Sequence, residues 1–225
     1  MIKYTKQTLR ATPHRDCAAL SKHQKGLILT MKTITNTNSR KSLRECISDY
    51  TVIDLETTGL SPQNDEIIEL AAVRVRGSRE TARFNSLVRP EKPISRRITS
   101  ITGITNKMTE NSPTIGQIIG EYLDFIGNDI ILGHNIVSFD RRFIENICKK
   151  LSLPPFDNDA LDTYYFARRC GLNTPDLKLT TLTAYFGIKH NDAHRALGDC
   201  IANYKCYEKL KERISEKSQN KECTV

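Results

Sequence analysis

None of the seven cysteines, Cys17, Cys46, Cys148, Cys170, Cys200, Cys206 and Cys223, forms a C-x-x-C pair with another. An odd count without zinc spacing argues against both a disulfide framework and a cysteine zinc module. It fits free thiols in a reducing compartment, so a cytoplasmic location is expected. No apolar run approaches the length of a membrane span, so no membrane association is expected. The stretch GLILTM at 26–31 is too short for the core of a signal peptide. No internal repeat is visible. Acids are scarce at one end: residues 1–44 contain only Asp16. Residues 1–49 hold ten Lys/Arg against three Asp/Glu, which is +7 of the whole-chain +8 and leaves +1 for residues 50–225. A basic arm beside a near-neutral body suggests an acidic partner, most simply nucleic acid. Two plainer readings of the arm are a solubilising extension and an organelle transit peptide, and Met31 inside it offers a later start.

What is present is one sizeable core's worth of chain, 225 residues. Residues 1–49 show weak periodicity and read as a flexible basic extension, residues 50–214 as the folded domain, and residues 215–225 as a polar tail. TVIDLE, EIIELAAVRVR (66–76) and TARFNSLVRP (81–90) read as three strands, the second turning at Gly77-Ser78 and the third stopped by Pro90. Helical stripes follow over 113–127 and 138–151, with a short buried strand at 129–134 between them. A strand end enters a helix over 159–170, and helices over 177–188 and 193–214 complete the domain. The order predicts an α/β sandwich around a mixed sheet.

The chemistry begins in TVIDLETTGL. Side chains two apart on a strand share a face, so Asp54 and Glu56 sit side by side near the end of the first strand. Two like charges this close raise each other's pKa unless something positive joins them; a divalent cation is the obvious candidate, and a solvated acidic pair on a half-exposed face is the plainer reading. Asp140 stands in the first turn of a helix after a buried strand, where by itself it would complement the helix dipole. Asp199 flanks the buried stripe Leu197, Cys200, Ile201 and Tyr204 of the last helix. Asp162 ends a strand before a helix and reads as a cap. His134 reads as a hydrogen-bonded strand-end residue. His190 and His194 are four apart and could form a zinc pair on a helix. Against this, no Glu lies between them and Asn191-Asp192 looks like a turn and cap.

Taken together, D-x-E on a strand, H-N-x-x-x-F-D at a helix start and H-x-A-x-x-D late in the chain resemble the DnaQ-like (DEDDh) 3′–5′ exonucleases. The resemblance covers about residues 50–212 and includes DLETTGL, ITGIT (101–105), GHNIVSFD, LDTYYFARR and HRALGD. It implies a ribonuclease-H-like three-layer sandwich, a five-stranded mixed sheet with helices on both faces. It implies that Asp54, Glu56, Asp140 and Asp199 bind two Mg²⁺ (or Mn²⁺) ions and that His194 is the general base. The task suits a side chain that titrates near neutral pH. Two cations can activate the attacking water and stabilise the leaving oxygen, and Mg²⁺ accepts a few hard carboxylates. The resemblance further implies that Thr57, Thr58 and Leu60 hold the terminal nucleotide, with Leu60 as a wedge, and that Asn135 orients the loop beside Asp140. His190 falls outside the motif, so its loss is expected to matter little. Some relatives carry a histidine where Thr102 stands, which puts one substrate contact in doubt.

The expected activity is therefore removal of nucleotides from single-stranded 3′ ends, DNA favoured over RNA, with a polymerase in trans as a partner. No polymerase domain or glutamine-led clamp-binding peptide is visible in the chain. The alternatives are an exoribonuclease of the same family and a non-catalytic subunit that binds nucleic acid or a polymerase.

Overall fold

The computed structural model describes residues 46–190 and 193–222; the expectations for residues 1–45 lie outside them. Strand β1 (Tyr50–Thr57) pairs antiparallel with β2 (Ile67–Arg76), which pairs antiparallel with β3 (Arg79–Leu87). The β2–β3 hairpin turns at Gly77 and Ser78, with φ of +55° and +60°. Two consecutive positive φ values make a two-residue turn whose twist matches the strands, and glycine takes the first at no steric cost. The third strand ends three residues before Pro90, earlier than the sequence reading. β1 to β2 is a longer connection, residues 58–66.

Two short helices follow, α1 (Arg96–Thr102) and α2 (Asn106–Thr109). Helix α3 (Ile115–Ile126) starts where Gln117 Oε1 accepts the Thr114 N–H (2.8 Å), a capping contact that satisfies an amide left free by the helix start. Then come β4 (Ile131–Gly133), α4 (Asp140–Lys150), β5 (Ala160–Asp162), α5 (Thr163–Cys170), α6 (Leu179–Tyr185) and α7 (Ala196–Glu222). Strands β4 and β5 add parallel to the other edge of β1, giving the order β3-β2-β1-β4-β5. The mixed five-stranded sheet is the one expected. α7 begins three residues later than the sequence suggests and carries the polar residues 215–222 on as helix.

The alternation of β1 sorts the core into two layers. Tyr50 and Val52 face one side with Val73, Leu132 and Leu161, covered by Phe166, Leu182, Cys200, Cys206, Tyr207 and Leu210 of α5, α6 and α7. Ile53 and Leu55 face the other with Leu70, Ala72 and Ile131, covered by Ile119, Tyr122, Phe143 and Ile144 of α3 and α4. Burying a large apolar side chain contributes about 1.5–3 kcal/mol, so both faces hold the sheet. Residues 46–49 join this body: Ile47 donates its N–H to Tyr207 Oη (3.1 Å) and accepts Lys211 Nζ (3.0 Å).

Candidate active site

Asp54 and Glu56 continue the face of Tyr50 and Val52, so they point toward α7 rather than α4. That places them under the first turn of α7, where Asp199 stands. One carboxylate oxygen from each of Asp54, Glu56 and Asp199 lies within 4.8 Å of the others, and all three are half-buried. No other group of three or more metal-ligating side chains forms among the described residues.

Asp140 is not one of the three. It comes from the helix on the opposite face, and its Oδ1 accepts the Leu55 N–H at 3.1 Å. The reason lies in the sheet. Thr51 N–H bonds Ile130 O (3.0 Å), so Leu55 N–H, four residues on, faces the same side. There β4 has already ended at Gly133, and the Asp140 carboxylate takes the orphaned amide. It is buried and remains close enough to be the strongest charge acting on Asp54.

Burial first, and mutual repulsion second, disfavour charge here. Burial lifts Asp54 well above the usual carboxylate range, with Asp140, Asp199, Glu56 and Glu69 adding to it. Burial, then Asp199, Glu69 and Asp140, push Glu56 up to about 8. Burial carries Asp140 up to about 7 against the Asp140 and Leu55 amides. Asp199 is raised by burial and held back by His190 and His194.

The histidines depart from expectation. They do not share a helix: His194 precedes α7 in a left-handed conformation (φ +64°), and its side chain is exposed. Its N–H donates to Asp199 Oδ2 (3.2 Å). His190 Nε2 instead lies 2.5 Å from Asp199 Oδ1, with its side chain 6 % exposed. A zinc pair on one helix face is thus not formed, and His190, expected to be idle, touches a cluster carboxylate. Its sequence signal was only its closeness to HRALGD.

The residues expected to meet a substrate ring the end of β1. Thr57 Oγ1 donates to Gly59 O (2.6 Å), and Thr58 Oγ1 accepts the Glu66 N–H (2.9 Å), so both hydroxyls hold their own loop. A Cβ on Gly59 would come within 2.5 Å of the Asp65 carboxyl, so a side chain there would push that carboxyl from its place on the Ser61 N–H. Leu60 is 84 % exposed. Asn135 is exposed with φ +61°, and its N–H donates to Asp162 Oδ1 (3.0 Å). Asp162 also accepts the Tyr164 N–H (3.0 Å), which makes it the N-cap of α5 as expected. His134 Nδ1 meets Thr163 Oγ1 (3.1 Å), a strand-end role. Thr102 is buried, and its hydroxyl donates to Ile98 O and accepts the Ile104 N–H, so it is engaged within its own turn.

Sequence reasoning missed Glu69. It sits opposite Glu56 in the β1–β2 register and is fully buried. Its carboxylate takes a bidentate pair from Arg195 (2.8 and 3.1 Å) and the Ala196 N–H (3.0 Å). An acid inside the apolar run IIELAAV was its only sequence signal.

The exonuclease family model matches residues 51–207. The chain is 38% identical over 165 residues to a DNA polymerase III subunit epsilon from Aquifex aeolicus, covering 73% of this chain and 81% of that one. It is 36% identical over 168 residues to a DNA polymerase III PolC-type from Caldanaerobacter subterraneus, covering 75% of this chain but 12% of the much longer relative. Escherichia coli exonuclease I, solved with a dT13 oligonucleotide, shares the fold with a TM-score of 0.69 at 24% identity, over 77% of this chain and 43% of that one. No helix among the described residues is long and apolar enough to cross a membrane. With the motif residues gathered at the end of β1 and the family match spanning nearly the whole folded body, the chain belongs to the DnaQ-like exonuclease family.

Proposed function

We propose that this protein is a divalent-metal-dependent 3′–5′ exonuclease that removes nucleotides from single-stranded 3′ ends, DNA in preference to RNA. The observation that carries the reading is the convergence of Asp54, Glu56 and Asp199 within 4.8 Å. The donor set fits hard cations: all three ligands are carboxylates, and their mutual repulsion is what a cation would relieve. Asp54, Glu56 and Asp199 would hold the ions, two Mg²⁺ or Mn²⁺, together with Asp140, the buried carboxylate whose charge acts most strongly on Asp54. When bound, the ions would polarise the scissile phosphate and neutralise charge in the transition state.

The chain's own residues do the rest. His194, exposed and tethered through its N–H to Asp199, takes the proton from the attacking water. Leu60 presents bare apolar surface to the terminal base. Thr57 and Thr58 keep the loop that carries it in shape, and Asn135 orients the loop beside Asp140. The relatives named as polymerase III components favour DNA as substrate and a polymerase in trans as partner.

The test is end-labelled single-stranded DNA and RNA of matched sequence, incubated with Mg²⁺, Mn²⁺ or EDTA. The expected result is stepwise shortening of DNA from its 3′ end that EDTA abolishes. Faster loss of RNA would make the protein an exoribonuclease. Binding without cleavage of either strand would make it a non-catalytic subunit.

A further inference from the structure

Glu69 lies outside the set of residues that would touch metal or substrate, yet its surroundings link it to two of them. It is fully buried on β2, opposite Glu56 on the same face of the sheet. A buried carboxylate is costly unless paired and hydrogen-bonded. Here Oε1 accepts Arg195 Nη2 (2.8 Å), and Oε2 accepts Arg195 Nε (3.1 Å) and the Ala196 N–H (3.0 Å). The fork is the geometry a guanidinium provides and an ammonium does not. Ala196 is the first residue of α7, so a strand carboxylate caps the start of that helix, where a negative charge is also favoured by the helix dipole.

Three short links then connect Glu69 to the candidate chemistry. Arg195 follows His194 directly. Arg195 O accepts the Asp199 N–H (3.0 Å). Asp199 Oδ2 accepts the His194 N–H (3.2 Å). His194 itself holds a left-handed backbone, φ +64°. Such a conformation in a residue other than glycine costs on the order of 1–3 kcal/mol and persists only where the surroundings over-determine it. The Glu69–Arg195 fork on one side and the Asp199 carboxylate on the other are those surroundings.

We propose that Glu69 is a positioning residue: acting through Arg195 and the Ala196 N–H, it sets where His194 and Asp199 stand relative to Asp54 and Glu56. The inference rests on the exonuclease reading for its kinetic consequence, though not for its structural one. Glu69→Gln keeps the volume but turns one acceptor oxygen into a donor that faces another N–H. Arg195→Lys keeps the positive charge beside Glu69 but cannot make the fork.

The test measures both variants and the double variant against wild type: kcat and KM on a short single-stranded DNA at saturating Mg²⁺, thermal midpoint, Mn²⁺ affinity, and the backbone amide signals of His194 and Asp199 by NMR. Each single variant should lose roughly 10–100-fold in kcat, as outer residues around metal ligands do. KM should stay within about twofold, because the lost interaction belongs to the chemical step. The double variant should be no worse than the weaker single variant, since both act through one contact. The His194 and Asp199 amide signals should shift in both. Wild-type kcat in folded Glu69→Gln and Arg195→Lys would overturn the inference, as would additive losses. If Glu69→Gln fails to fold, Arg195→Lys carries the test, because it leaves the buried charge paired. If wild type cleaves nothing, the exonuclease reading fails. The amide signals and the Mn²⁺ affinity then decide the positioning role alone, and values unchanged in both variants would refute it.

Discussion

Replacing Asp54 with Asn should make the metal-free protein more stable while destroying its response to metal. In the native protein Asp54 has ligating oxygens of Glu56 and Asp199 within 4.8 Å. At an effective dielectric of about 20, two unit charges at that separation repel by roughly 3.5 kcal/mol. Two such neighbours give about 7 kcal/mol before Asp140, the strongest charge on Asp54, is counted, and proton uptake by the group relieves most of this. A net gain of about 1–3 kcal/mol from Asp54→Asn in EDTA is the expectation, equivalent to a rise of roughly 2–12 °C for a chain of this size. Divalent metal acts in the opposite sense. At about a hundredfold excess over Kd it stabilises wild type by about 2.7 kcal/mol, or roughly 5–11 °C, and the variant by much less. Differential scanning calorimetry in EDTA and in Mn²⁺ reads both effects. The pH dependence has a definite sign. Carboxyls with raised native pKa values, Glu56 at about 8 and Asp140 at about 7, bind protons more tightly when folded than unfolded. The metal-free wild type therefore loses stability as pH rises from the ordinary carboxylate range toward about 8. The advantage of the variant should be largest near pH 8 and shrink toward about pH 5. A lower thermal midpoint for Asp54→Asn in EDTA at pH 8, or equal Mn²⁺ shifts in both proteins, would refute the cluster's role.

Two further expectations concern single contacts. His194→Ala should lose about 10²–10⁴-fold in kcat, the usual value of a positioned general base. His190→Ala should lose about 10–100-fold, mainly in metal affinity, because it frees Asp199 Oδ1 from a neighbour; steady-state rates over a Mn²⁺ titration separate the two, and a larger kcat loss for His190 would reverse the assignment. Asp162→Ala removes the acceptor for the Asn135 and Tyr164 amides. It should cost about 1–3 kcal/mol in urea unfolding while kcat per folded molecule stays near wild type.

Several parts of the site are legible in the residues themselves. DLETTGL announces a strand running into a turn, and Asp162 before Thr163 announces a cap, because both depend on contacts only a few residues apart. The helix stripes at 115–126 and 140–150 are found for the same reason, with ends misjudged by one or two residues where capping decides. Asp140 was legible as part of a motif but not in its contact. The Leu55 amide it serves is 85 residues away in the chain, and that amide is orphaned only because β4 stops at Gly133.

By itself the sequence determined which acids could share a face, since strand alternation is a local property of the backbone and puts Asp54 beside Glu56 in any fold that makes residues 50–57 a strand. It also determined the family, through three ordered motifs. Only the tertiary structure decided which face that was. Tyr50 and Val52 pack under α5, α6 and α7, so the acids that follow them on the same side meet Asp199 of α7 and not the α4 layer. It likewise decided that His190 lies on Asp199 and that Glu69 anchors Arg195, a fork spanning 126 residues of chain. Such pairings leave no periodic trace in the sequence, because they depend on how separately specified helices and strands pack and not on the spacing within any one of them.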